Sequence, residues 1–297
     1  MKKLRVLLSL TNDDNDYQIE QTSAARLAAR KLGADLDIVY AGNDGILQSQ
    51  QLLSSIQSNT AARPDAIIFE PAGSTAHPQI ARAAATAGIG VVVLNHDADY
   101  IAEIRRLFHV PVFAITSNHE EIGRIQGQQL SALLPAGGNV LYVQGPAESS
   151  AAKQRYTGAL ETKPGGMQLR VVKAHWTEAS AHKTVASWLK LPTSRQAKIE
   201  AVCAQDDSMA MGARKAFEES NEMKEQLQKM PFLGCDGMPK TGQEWVRRKL
   251  FAATIIVPPN TDLAIEMMAK SIATGTLPPE RTFTTAQSFP DIRMLGK

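Results

Sequence analysis

Two adjacent aspartates, Asp206 and Asp207, stand between an apolar tetrapeptide, residues 201–204, and a run in which Met209, Ala210, Ala213, Ala216 and Phe217 recur at helical spacing. The tetrapeptide reads as a parallel strand covered on both faces, so the two carboxylates fall at its carboxyl end. Ligands gather at such ends in open parallel sheets. Asp equally caps the bare N–H groups of a starting helix. Residue type and spacing leave both roles open for each aspartate.

The same question arises at other turns. Asp236 with Gly237 follows the apolar run FLGC and serves either a ligand or a tight turn. Arg155 lies shortly after Ser149 and Ser150, where a helix begins, and Trp176 follows a strand-like segment. Tyr17, Asn95 and His96 occupy comparable positions in the first half of the chain. His96 reads as a hydrogen-bonded bystander as readily as a ligand. Collected together, residues 12–17, 70–74, 95–97, 205–207 and 236–237 are rich in amides and carboxylates, with Arg155 and the aromatic rings added. Carboxylates and amides bond vicinal hydroxyls, guanidinium donates in a fixed fork, and rings cover apolar faces. The set suits a polyhydroxy small molecule.

Other chemistries find less support. The acidic run 12–16 lacks a glycine at the sixth position of a calcium loop counted from Asn12, and Ser23 stands where its glutamate belongs. There is no GxGxxG or GxxxxGK[ST], so nothing points to a nicotinamide or P-loop nucleotide cofactor, and no cofactor is expected. A phospho-receiver would use Asp13 and Asp14 but only about half the chain. Paired carboxylates could also work as acid and base, but no spacing supports an enzyme. A formal net charge of +2 with no basic tract is not a nucleic-acid footprint. Cys203 and Cys235, each in an apolar segment, read as buried free thiols.

The segments that must position these groups alternate. Strands are expected over 4–10, 35–40, 65–69, 91–94 and 112–115, with helices over 18–32, 46–61 and 77–87 and an interruption at 97–109. A second series begins at Asn118, a helix cap with Glu121 in capping-box register. Gly123 and Gly127, one turn apart, allow that helix to lie close on a sheet. Strands follow over 139–144, 168–174, 201–204, 232–235 and 252–257, with helices over 151–161, 179–191, 240–249 and 261–274. With 297 residues, 43% of them hydrophobic, the chain can fill about two cores. The expected fold is α/β, two similar doubly wound parallel-sheet lobes joined by a three-stranded hinge. Residues 1–117 plus 258–285 would form the first lobe, and 118–257 plus 286–297 the second. Strand ends of two facing sheets would then converge on one cleft.

At this point the chain resembles the type I periplasmic sugar-binding proteins of the ribose- and galactose-binding kind, whose fold lactose-repressor-type ligand domains share. The resemblance rests on DAIIFEPAGS at 65–74, SNHEEIGRIQG at 117–127, SSAAKQRYTG at 149–158, AVCAQDDSMAMGA at 201–213 and FLGCDG at 232–237. It implies a sugar held by Arg155, Asp206 and Asp236, with Tyr17 and Trp176 as sandwiching rings and Asn95 and His96 beside them. Where ribose-type members carry Asp-Arg, this chain has Asn95 and His96, and Val257 replaces a glutamine. The resemblance therefore implies a ligand other than ribose. It also implies a non-enzymatic monomer working with an ABC-type permease or a sensor protein, without nucleic acid. A regulator lacking a DNA-binding headpiece is the alternative, since the first strand begins near Leu4 and leaves no room for a preceding helix-turn-helix. A periplasmic location follows from the resemblance. Residues 1–10, however, lack the apolar run of about 7 to 15 residues of a secretory segment, which keeps a cytoplasmic location open.

Overall fold

Strands that are apolar on both faces must be covered on both faces, and the way the chain satisfies this sets its architecture. The computed structural model describes residues 3–58, 63–73, 76–96, 98–220, 227 and 229–296. The chain divides into two units, one of Met1–Ser117 with Pro259–Thr284, the other of Asn118–Pro258 with Thr285–Lys297. It thus passes between units three times, and Pro258 and Thr285 belong to the second.

In the first unit the elements are β1 (Arg5–Leu10), α1 (Asp16–Leu32), β2 (Asp35–Tyr40), α2 (Gly45–Ile56), β3 (Ala66–Phe69), α3 (Pro78–Thr86), β4 (Gly90–Leu94), α4 (Ile101–Leu107) and β5 (Val112–Ser117). Two late elements complete it, α11 (Thr261–Thr274) and β11 (Arg281–Thr284). The sheet runs β11-β5-β4-β3-β1-β2 with every pairing parallel. Side chains alternate across it as the period of two requires. Val6, Leu8, Ile68 and Val92 pack with Ala25 and Ala28 of α1 and Ala264, Ile265 and Met268 of α11. Leu7, Ile67, Phe69 and Val91 pack with Leu52, Ile80 and Ile101 on the other side. Gly33 ends α1 in the left-handed conformation, its N–H bonded to the Ala29 and Arg30 carbonyls.

The second unit contains α5 (His119–Leu133), β6 (Gly138–Gln144), α6 (Ser150–Thr162), β7 (Met167–Lys173), α7 (Glu178–Leu189), α8 (Pro192–Gln196), β8 (Ala201–Ala204), α9 (Asp207–Glu219), β9 (Phe232–Leu233), α10 (Gly242–Arg247), β10 (Thr254–Ile256) and β12 (Gln287–Phe289). Its sheet is parallel in the order β7-β6-β8-β9, while β10 pairs antiparallel with β12. Helices α7 and α9 supply Ala181, Val185, Met209 and Phe217 to one face, and α5 and α6 supply Leu130 and Ala159 to the other. Each unit is therefore doubly wound, as the alternation implies.

The structure differs from the sequence reading at several points. The interruption at 97–109 contains α4, whose Ile101 and Ile104 are its buried residues, too short a stripe to register as a period. The strand expected over 232–235 is regular over Phe232–Leu233 and then follows the β10 segment through single bridges, Leu233 to Ala253 and Asp236 to Ile256, until Asp236 and Gly237 take positive φ (101° and 60°) and turn the chain. The tail forms two short strands, β11 and β12. Gly123 and Gly127 approach a helix, not a sheet: a Cβ on Gly123 would lie 2.0 Å from the Arg155 carbonyl oxygen, and one on Gly127 2.8 Å from that of Ala159. The expected helix over 46–61 is observed to Ile56, and its end lies partly outside the described residues.

Candidate functional site

In the second unit the site begins with the approach of α5 to α6. Gly158 on α6 answers Gly123, since a Cβ there would come 2.0 Å from the Glu120 carbonyl oxygen. The two backbones meet with no side chain between them, and Arg155 is carried on the contacting turn of α6. Ser149 caps that helix by accepting from the Ala152 N–H at 3.3 Å.

Arg155 is only 7% exposed, yet its guanidinium is well supplied with acceptors. Nη1 donates to the Gln205 carbonyl and Nε to His119 Nδ1 at 3.4 Å. Asp236 Oδ1 lies 3.9 Å from Nη1, and the Trp176 ring centroid 5.7 Å from Cζ, within cation–π range. Burial opposes the charge, but Cys235, Asp236, Asp206 and Tyr142 outweigh it and hold the Arg155 pKa above its ordinary value. Burial also pushes the Cys235 thiol well up, so it is neutral near pH 7. The two carboxylates are therefore what keeps this cation in place.

Gln205 locks the floor. Its Oε1 accepts from the Gly145 N–H at 2.9 Å, and its Nε2 donates to Tyr142 Oη at 3.0 Å and to the Ala152 carbonyl at 2.9 Å. Tyr142 donates in turn to Gln126 Oε1 at 2.8 Å. Gly145 is small by necessity, because a Cβ there would fall 2.2 Å from the Trp176 ring. The indole thus lies directly on backbone and against Arg155, with the rest of the ring partly buried on the core.

The paired aspartates divide their work. Asp206 caps α9, its Oδ1 accepting from the Met209 N–H at 2.5 Å. Asp207, 2% exposed, accepts from the Gly237 N–H at 2.7 Å through Oδ2 and from the Thr254 hydroxyl at 2.7 Å through Oδ1. Asp236 is the non-glycine residue with φ of 101°, a conformation costing about 1 to 3 kcal/mol. Two backbone bonds hold it there, Asp236 N–H to the Ile255 carbonyl at 2.9 Å and Val257 N–H to the Asp236 carbonyl at 3.0 Å.

The first unit gathers a second polar group at its strand ends. Asn95, also at positive φ (54°), donates through Nδ2 to Tyr17 Oη at 3.2 Å and accepts through Oδ1 from Asn260 Nδ2 at 2.9 Å. Asn260 is held by Gln21, whose Nε2 donates to its Oδ1 at 2.7 Å and whose Oε1 accepts its N–H at 2.9 Å. Gln18 Nε2 donates to Glu70 Oε2 at 2.8 Å. Gln48 fixes the following loop, its Oε1 accepting from the Ala72 N–H at 2.7 Å and facing His77 Nε2 at 2.8 Å. Burial lowers the His77 pKa, so this imidazole is neutral near pH 7.

Of the residues singled out from sequence, Arg155, Trp176, Asp206 and Asp236 come together in the second unit, and Tyr17 and Asn95 in the first. His96 turns its Nδ1 back to the Leu94 carbonyl at 3.4 Å. Asn95 uses one N–H on Tyr17 Oη and one lone pair on Asn260 Nδ2, and its amide carries a second donor and a second acceptor site. Ser74 and Asp97, counted among the turns, lie outside the described residues. The sequence reading places Gln205 among the turn residues without a role of its own, while His119 and Asn260 are not singled out: His119 follows a helix cap and Asn260 two prolines, where polar residues ordinarily need no further cause. Among the described residues no group of three or more His, Cys, Asp or Glu side chains could hold a metal, and no helix is long and apolar enough to cross a membrane.

Twin doubly wound units, each with polar and aromatic side chains held at the carboxyl ends of its parallel strands, define a two-unit small-molecule receptor. The chain belongs to the periplasmic binding protein domain family, which it matches over residues 6–276. It is 30% identical over 190 residues to the putative rhizopine-binding protein of Rhizobium meliloti, a match covering 62% of this chain and 58% of the relative, less than two thirds of that protein. It is 25% identical over 260 residues to the ribose import binding protein RbsB of Escherichia coli K12, covering 88% of this chain and 81% of that one. Among solved structures, an ABC transporter periplasmic solute binding protein from Actinobacillus succinogenes 130z with bound D-allose superposes with a TM-score of 0.82 at 23% identity, covering 98% of each chain. At that identity the likeness speaks for the fold alone.

Proposed function

We propose that the chain binds a monosaccharide or related polyol with groups from both units and is the solute-receptor component of an ABC-type sugar uptake system, acting outside the cytoplasm. The observation that carries this reading is the buried, charged Arg155 between Asp236 and the Trp176 ring. A fixed donor fork, carboxylate acceptors and an apolar ring face match the edges and faces of a sugar. The names of two relatives, which concern ribose and D-allose, agree in chemical class. The ligand contacts are Arg155, Asp206, Asp236 and Trp176 from one unit and Tyr17, Asn95 and His96 from the other, with Asn95 also orienting Tyr17. Asn95, His96 and Val257 argue for a ligand other than ribose.

The activity is binding, not catalysis. A ligand touching both units favours their closed arrangement by its differential affinity, and that arrangement is what a permease or sensor partner reads. A thermal-shift panel of D-ribose, D-allose, D-fructose, L-arabinose, myo-inositol and their phosphates tests the reading. A cognate compound at a hundred times its dissociation constant stabilises by about 2.7 kcal/mol. No shift with any sugar or polyol would remove the proposal, and turnover of a labelled compound would replace it with an enzyme.

Removing the indole is the second test. Trp176→Ala takes away a ring contact worth about 0.5 to 1.5 kcal/mol by analogy with aromatic pairs, so affinity should fall roughly two- to thirteenfold. The contraction on ligand addition seen by small-angle scattering should shrink with it. Unchanged affinity and contraction would assign Trp176 to packing on Gly145 alone.

A further inference from the structure

We infer that Asp207 is a positioning residue for Asp236: its buried carboxylate ties the turn that carries Asp236 to α9 and β10, and sets the carboxylate of Asp236 beside Arg155. This deepens the sugar-binding reading and rests on it for its affinity arm.

Three independent features meet on this one side chain. First, each oxygen has its own partner on a different segment, Gly237 N–H from the turn and Thr254 Oγ from β10. Second, the surrounding backbone is cut to fit it. A Cβ on Gly234 would lie 2.1 Å from Asp207 Oδ1, and one on Gly242 1.9 Å from Oδ2. Glycines before and after the turn thus leave space that this carboxylate fills. Third, the residue just before the anchored N–H, itself bridged to Ile256 of β10, is Asp236 at φ 101°. An aspartate does not hold that conformation unaided, and the next peptide N–H is the one Asp207 accepts from. Loss of that acceptor frees the N–H side of the 236–237 peptide, whose carbonyl still accepts from the Val257 N–H at 3.0 Å, so the turn keeps its place on β10 but loses its tie to α9; further along, Gln243 Nε2 donates to the Gly237 carbonyl at 2.8 Å. The neighbouring aspartate has no such role, because Asp206 turns its Oδ1 back onto its own helix.

The variants are Asp207→Ala, Asp207→Asn, Thr254→Val and Asp236→Ala, and the double variant Asp207→Ala/Asp236→Ala. Asn keeps the shape: its Oδ1 accepts from Gly237 and its Nδ2 donates to the Thr254 hydroxyl, which accepts as readily as it donates. Amide hydrogen exchange on the unliganded protein reads the turn directly. Protection of the Gly237 N–H should fall at least tenfold in Asp207→Ala and stay within about threefold in Asp207→Asn, with α9 protection retained. Affinity is read with whichever panel sugar binds the parent. Asp207→Ala should lose at least tenfold, Asp207→Asn should recover to within about threefold, Thr254→Val should fall between, and the double variant should bind no worse than Asp236→Ala. Losses that multiply in the double variant would overturn the inference, as would Gly237 protection unchanged in Asp207→Ala. If Asp207→Ala does not fold, Thr254→Val and Asp207→Asn carry the test: unchanged exchange at Gly237 in the first, or full loss in the second, overturns it. If no panel sugar binds, the function proposal falls while the exchange arm still decides the role of Asp207.

Discussion

Arg155→Ala is expected to weaken the cognate sugar at least tenfold, about 1.4 kcal/mol, by isothermal calorimetry. The guanidinium is the buried cation at the strand ends of its unit, and a hydroxyl that loses a charged donor there finds no water to replace it. The cost extends to the unliganded protein. Asp236 and Asp206 together hold Arg155 charged, so its removal leaves two buried carboxylates without the cation they faced, and the melting temperature should drop as well. Lysine is not a substitute, since one ammonium cannot reach the Gln205 carbonyl, His119 and Asp236 as a planar fork does. Asp236→Ala should lose a comparable factor. If both alanine variants bind the sugar with parental affinity, the ligand does not sit on this group.

Much of the architecture was legible because it is written in short-range pattern. Alternating apolar strands and amphipathic helices announced both doubly wound units, and Asn118, whose Oδ1 accepts from the Glu121 N–H at 3.1 Å, is the helix cap its spacing implied. The cap reading of the paired aspartates holds for Asp206. What remained hidden depends on partners far along the chain. Asp207 works through Gly237 and Thr254, and Asn95 through Asn260, 165 residues away. No local window contains such a pair. The glycines of α5 showed the same limit: their spacing signalled close approach, but only the fold identified the neighbour as α6.

Gly123→Ala is expected to destabilise the protein by about 1 to 3 kcal/mol, the range for an overpacked site. Alanine is the better helix former by about 1 kcal/mol, so the two effects oppose each other. The clash wins because the added methyl meets backbone, 2.0 Å from the Arg155 oxygen and 2.8 Å from its carbon, and neither can rotate away. Helix α6 must shift bodily, and it carries Arg155 with it. Chemical denaturation should show the stability loss, and calorimetry a weaker sugar affinity in the fraction that remains folded. A variant as stable as the parent would mean that the helices separate at no cost and that the glycines do not fix the position of Arg155.

Helix α11 and strand β11 are made late, after nearly all of the second unit, but belong to the unit made first. When Ser117 leaves the ribosome, Val6, Leu8, Ile68 and Val92 have α1 beside them but not Ala264, Ile265 and Met268, and the β5 edge that β11 will cover is bare. All of Asn118–Pro258 must be synthesised before either gap closes. At ordinary elongation rates of about 5 to 20 residues per second this takes on the order of ten seconds. The nascent chain therefore passes through a stage with an open sheet edge and an uncovered apolar face. Gln21 waits through the same interval for the Asn260 and Thr261 amides that it anchors. Birth order and completion order are uncoupled in this protein, and the interval between them is when a chaperone has most to protect.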